Sequence, residues 1–243
     1  GSFVSPKAIP QLRDTKEIVP QLELAQTRTQ LLAIVLNERG ATDALRFEEI
    51  ALLGYPYSLS ETFSQRNANR SRAQALDSLR RIAEQTQAAG RQLRVYLSMG
   101  FGNPYGDPWS ETLVSEAAGE AAELGAAQIA LADTAGDASP ERIRHTFPRL
   151  QADHPGLDFI AHFHANPTQW HGKVEAALAS GARGFDTALR GYGGCPFAAD
   201  ELVGNIATEN LLEVLREQGL APALDEDALQ TAQAKAPAIF ERA

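Results

Sequence analysis

Residues 157–164 read Leu-Asp-Phe-Ile-Ala-His-Phe-His, a run that is apolar from Phe159 and turns polar again at its end. Branched and aromatic side chains at this density read as a buried strand. Strand side chains alternate with period two, so His162 and His164 project from one face at the strand's C-terminal end. The flanking residues place that strand in a repeat. Upstream, Ser139-Pro140-Glu141 offers a capping serine and a first-turn proline for a helix. Downstream, residues 169–180 keep a helical period until Gly181 stops it. Further out, apolar runs recur at 3–4, 31–37, 49–54, 93–99, 128–133 and 184–189. Helical stretches separate them at 20–29, 38–46, 71–89, 110–124 and 208–218, with a last helix at 225–234. Strands alternating with helices imply a parallel sheet. No low-complexity linker or charge run divides the chain, so residues 1–243 are read as one domain.

An open doubly wound sheet and a closed eight-stranded (β/α)8 TIM barrel both fit this alternation. No Gly-x-Gly-x-x-Gly turn follows a strand, and polar residues gather at strand ends, which favours the barrel. The count reaches seven strands, so the first strand of a barrel is absent from this reading.

Composition narrows the function. A chain of 243 residues with 44% hydrophobic and 22% charged residues can build a large core without staples. The longest aliphatic run, residues 31–36, falls far short of the about 20 residues a membrane span needs. A single cysteine forbids an internal disulfide framework and fits a reducing, cytoplasmic setting. The formal net charge of −9 argues against nucleic-acid binding through a basic surface. It also leaves any anionic substrate dependent on local positive groups. No Gly-x-Ser-x-Gly elbow, Walker loop or His-Glu-x-x-His is present, which disfavours serine hydrolase, P-loop and zincin chemistry.

Four features carry chemistry. The His162/His164 pair suits a divalent metal, or alternatively hydrogen bonding in a polar barrel mouth. Gly191-Tyr192-Gly193-Gly194-Cys195-Pro196-Phe197 follows a strand and places the one cysteine in a glycine-rich loop. Such a loop can approach a ligand closely and present a thiol as proton donor, or hold the cysteine incidentally. Asn205 after Gly204 offers a hard oxygen donor or a turn residue, and Asp133 in Asp-Thr-Ala-Gly offers a positioning carboxylate or a local amide acceptor. His145, His154 and His171 read as solvated, Trp109 and Trp170 as packing, and the 66–72 arginine cluster as a solvated helix start.

In order, His-Phe-His, Gly-Tyr-Gly-Gly-Cys-Pro-Phe and Gly-Asn-Ile-Ala-Thr-Glu resemble the 3-hydroxy-3-methylglutaryl-CoA (HMG-CoA) lyase family. Ser2-Phe3-Val4-Ser5-Pro6-Lys7 with Pro10-Gln11, and Asp133-Thr134 with Gly136, extend the resemblance over residues 1 to about 220. The resemblance implies a (β/α)8 barrel using Mg2+ or Mn2+, with His162, His164 and Asn205 as ligands. It further implies Cys195 on the active-site loop, Asp133 beside the substrate and Glu209 supporting the site. The implied reaction is a retro-Claisen cleavage of an acyl-CoA to acetyl-CoA and acetoacetate, as in leucine degradation, by a homo-oligomer, a dimer. Two departures stand out. Ala165-Asn166-Pro167-Thr168 replaces the family's Asp- or Asn-Thr-x-Gly turn, and nothing matches its first-strand Arg-Asp pair. The chain is therefore expected to be an incomplete copy of a longer one. A related aldolase or Claisen-type synthase on a short 2-oxo acid, and a non-catalytic metal- or ligand-binding barrel, are the competing readings.

Overall fold

The computed structural model describes residues 1–7, 9–166, 168–194 and 203–240. Six parallel strands pair in chain order: β1 (Leu31–Ile34), β2 (Ile50–Ser58), β3 (Gln92–Ser98), β4 (Gln128–Asp133), β5 (Asp158–Ala165) and β6 (Gly184–Asp186). A short β7 (Gly204–Asn205) pairs antiparallel with the end of β5. One cavity of about 1180 Å³ is lined by Leu32 and Ile34 of β1, by Asp186 of β6 and by the strands between. A flat sheet could not enclose one space from both edges, so the sheet curls into a (β/α) barrel-like fold.

The helices close the outside. They are α1 (Thr15–Ile18), α2 (Glu38–Ala44), α3 (Glu61–Ala68), α4 (Arg72–Ala88), α5 (Glu111–Glu123), α6 (Pro140–Asp153), α7 (Trp170–Ala179), α8 (Thr208–Glu217) and α9 (Glu226–Phe240). Strand alternation sorts side chains between the two surfaces. In β3, Leu93, Val95 and Leu97 join the core beneath the helices, while Arg94, Tyr96 and Ser98 face the cavity. Local signals set the helix starts. Ser71 and Gln74 make a reciprocal capping box at α4, and Ser139 caps α6 with Pro140 in its first turn. Among the described residues no helix is long and apolar enough to cross a membrane.

Several expectations shift. The helix expected at 20–29 is not there. The chain makes α1 and a 3-10 turn at Val19–Gln21, and Leu22 is already extended. Residues 21–30 are almost wholly exposed, so a helix there would have no apolar face to bury. The expected strand at 3–4 is reduced to a bridge, with Phe3 N–H donating to the Ile34 carbonyl at 2.9 Å. The strand expected at 31–37 ends early because Asn37 caps α2 through the Gly40 N–H. The strand at 49–54 continues to Ser58 through Pro56. The Gly54 carbonyl bonds Val35 on the β1 side, so Pro56, two residues on, faces the same side beyond the end of β1. The next ladder bond would run from residue 56 N–H to the Val35 carbonyl, so the proline ends the β1–β2 pairing at that point.

Candidate active site

β5 delivers both histidines to the cavity, their ring centroids 5.5 Å apart. Each ring has its Nδ1 occupied. His164 Nδ1 lies 3.0 Å from the Thr134 carbonyl, which can only accept, so Nδ1 carries the hydrogen. His162 Nδ1 lies 3.1 Å from a carboxylate oxygen of Asp186, which fixes the same tautomer. Among the described residues neither Nε2 has a hydrogen-bond partner, so Nε2 is the nitrogen each ring leaves to a ligand. An imidazole oriented by a carboxylate or carbonyl on its far nitrogen is the usual arrangement of a metal-binding histidine. Burial, and then the neighbouring His162, push the His164 pKa down to about 4, so it is a neutral donor at pH 7.

Asp186 is itself held. Its other oxygen accepts from Arg94 at 2.9 Å, and Arg94 Nε donates to Gln128 Oε1 at 2.8 Å. Tyr96 stands edge-on to His162 with ring centroids 5.5 Å apart, and burial raises its phenol to about 12. The histidine pair thus rests on a polar floor inside the barrel.

β7 brings Asn205 opposite His164. Its Nδ2 donates to the Tyr192 carbonyl at 2.8 Å, so the amide oxygen is the atom left to coordinate. The preceding glycines make room for it. A Cβ on Gly191 (φ +70°) would stand 2.9 Å from the Asn205 carbonyl, and one on Gly193 (φ +96°) 2.7 Å from Asn205 Nδ2. Two imidazoles and a carboxamide oxygen form a neutral partial donor set, and the cavity leaves space for oxygen ligands from substrate and water. That chemistry fits a divalent cation of intermediate hardness. Among the described residues no three His, Cys, Asp or Glu side chains gather to hold a metal.

Asp133 and Glu209 do not line the large cavity. Asp133, expected beside the substrate, is 2% exposed and pairs instead with Lys173 Nζ at 2.6 Å, its second oxygen accepting from Ala138 N–H. Burial raises its carboxyl, with Lys173 opposing. Glu209 accepts twice from the Arg190 N–H, at 3.1 and 2.9 Å, and lines a smaller cavity of about 460 Å³ that shares Asn205 with the large one. Cys195 lies outside the described residues.

His154, expected in solvent, ties α6 to α5 through the Ser115 carbonyl at 2.9 Å. His145 and His171 are exposed as expected. Arg70 donates to the Leu36 carbonyl and Ser78, and Arg72 to the Ser58 carbonyl, so both brace loops rather than lie in solvent. Trp109 packs on the core and donates to the Gly100 carbonyl, and Trp170 packs on the core as well.

Asp186, Arg94, Tyr96 and Lys173 are not singled out by the sequence. The period-two positions of two strands carried a usable signal: Arg94, Tyr96 and Ser98 on β3, and Gly184 and Asp186 on β6.

A family model described as HMGL-like matches residues 11–235. The hydroxymethylglutaryl-CoA lyase of Pseudomonas mevalonii is 31% identical over 231 residues, covering 94% of this chain and 75% of that protein. The (R)-citramalyl-CoA lyase of Chloroflexus aurantiacus is 32% identical over 242 residues, covering 94% of this chain and 74% of that protein. An HMG-CoA lyase from Acinetobacter baumannii, solved with coenzyme A and 3-methylmalate, superposes with a TM-score of 0.89 at 33% identity. It covers 99% of this chain and 78% of its own.

Proposed function

The chain belongs to the HMGL-like family, and on that premise we propose that it is a carbon–carbon lyase cleaving HMG-CoA to acetyl-CoA and acetoacetate. The observation that carries the proposal is the His162/His164 pair, each held at Nδ1 with Nε2 unpartnered among the described residues, facing one cavity with Asn205. The family is divalent-metal dependent, and His162, His164 and Asn205 are the residues that would hold the cation, Mg2+ or Mn2+. When bound, such a cation polarises the substrate carbonyl and stabilises the alkoxide at the carbon that bears the hydroxyl.

The chain's own residues do the rest. Asp186 keeps the His162 proton on Nδ1 and so keeps Nε2 available, while Arg94 fixes the Asp186 rotamer. Thr134 does the same for His164 through its carbonyl. Cleavage removes the hydroxyl proton and breaks the bond between the α-carbon and the hydroxyl-bearing carbon. The electron pair passes to the thioester as an enolate, which takes up one proton. The two proton transfers cancel, so no further reactant is consumed. On the resemblance we assign the second transfer to the Cys195 thiol, a role that needs a reducing compartment such as the cytoplasm.

A second acyl group is favoured by the similarity to a citramalyl-CoA lyase. Its cleavage would release pyruvate in place of acetoacetate by the same bond changes. The test supplies HMG-CoA and citramalyl-CoA separately with Mn2+ and follows both products by mass spectrometry. Acetoacetate with a higher kcat/KM supports the first reading. Pyruvate alone replaces it with the second, and neither product rejects both.

A further inference from the structure

We propose that Lys173 is a positioning residue for the metal-binding face, clamping the ends of β4 and β5 so that the His164 imidazole keeps its aim. The inference rests on the reading of His164 as a metal ligand. Lys173 lies on α7, the helix that follows β5, and its side chain is 3% exposed. An ammonium this deep is costly unless all its hydrogens find partners. Here all three do. Nζ donates to Asp133 Oδ2 at 2.6 Å, to the Gly136 carbonyl at 2.6 Å and to the His164 carbonyl at 2.9 Å.

Those three acceptors define what the clamp does. Asp133 and Gly136 bracket the turn after β4, and His164 is the penultimate residue of the neighbouring strand β5. The same two segments are joined a second time, by His164 Nδ1 donating to the Thr134 carbonyl within that turn. One ammonium therefore holds both ends of the hydrogen bond that sets the imidazole's tautomer and direction. The turn has a further anchor in Met99 N–H, which donates to Thr134 Oγ1 at 2.9 Å. Asp133 receives Ala138 N–H at 3.1 Å. Losing the amine removes the only described hydrogen bond from this corner to the His164 main-chain carbonyl, and beyond the β4–β5 ladder, which pairs as far as Asp133 and Phe163, leaves the imidazole bond to hold the turn against β5. Asp133 is then not a substrate contact but the counter-charge that makes a buried lysine possible.

The test measures Mn2+ affinity by calorimetry on three variants, with folding followed by near-ultraviolet circular dichroism. Lys173→Met removes all three donors but strands the Asp133 charge. Lys173→Met with Asp133→Asn removes the donors and the stranded charge together. Lys173→Gln keeps two N–H donors without the charge. Outer contacts of metal ligands typically change affinity about 10- to 100-fold. We expect Mn2+ binding to weaken at least about 10-fold in the double variant even where its thermal stability recovers, with partial rescue in Lys173→Gln. In 15N-histidine spectra the His164 Nδ1–H signal should lose its protection from exchange in the same order. Affinity that returns together with stability in the double variant would overturn the proposal, as would wild-type affinity in any folded variant without the amine. Absence of Mn2+ binding in the wild type would instead reject the ligand reading on which it rests.

Discussion

At the scale of single residues, His164 should make the metal-free protein acid-sensitive. Its folded pKa is about 4 against an ordinary 6.5. Between those values the unfolded chain binds a proton that the folded chain refuses, so stability falls as pH falls from about 6.5 towards 4. From pH 7.5 to pH 5 the loss attributable to this one ring is about 2 kcal/mol. Urea unfolding in EDTA at the two pH values should show that loss in the wild type, and His164→Gln should lack it. An equal pH slope in both proteins would mean that the ring protonates freely when folded. The histidine pair was legible in the sequence because i and i+2 on a strand is a local pattern. Its supports were not. Asp186 is 24 residues from His162, Arg94 is 92 residues from Asp186, and no local period links them. Lys173 reads as an ordinary helix lysine until the fold places three oxygens around it.

At the scale of elements, the glycine stem and β7 act as one piece. Asn205 reaches the cavity because Gly191 and Gly193 take positive φ beside it, where a Cβ would collide. Gly191→Ala adds a contact at 2.9 Å to the Asn205 carbonyl and left-handed strain of about 1–2 kcal/mol. The expected outcome is a lower Tm and Mn2+ binding weakened several-fold, because β7 must shift to relieve the contact. A control alanine at Gly90, where positive φ meets open space, should lower Tm without touching Mn2+ affinity. Equal Mn2+ affinity in both alanine variants would separate β7 from the site. The same scale shows where element reading succeeds. Helices with a capping serine and a buried stripe, α4 and α6, were readable from residues 71 and 139. The expected helix at 20–29 had a proline start and no stripe, and the structure gives it none. α3 has its capping serine at Ser60, but a polar run hid it; only Phe63 and Ser64 are buried there.

At the scale of the whole molecule, one question is whether a cation held at β5 and β7 is felt throughout. The repeat of strand and helix made the barrel-like plan readable. It could not show that one apolar cluster runs continuously from Phe3 to Val214, which requires every strand's outward face to meet its helices. A continuous core of that extent should unfold cooperatively. A ligand that binds only the folded state then stabilises all of it by mass action, about 2.7 kcal/mol at 100 times Kd. For a chain of 243 residues that corresponds to a Tm rise of roughly 5–10 °C. Mn2+ should therefore move the single thermal transition upward, and EDTA should return it. Asp186→Ala removes the acceptor that orients His162, and if affinity falls about 10- to 100-fold, half or more of the rise disappears at the same Mn2+ concentration. Calorimetry also checks the premise. Two transitions, with Mn2+ shifting only one, would show that the β5–β7 end folds as a separate unit and that the core does not couple it to the rest.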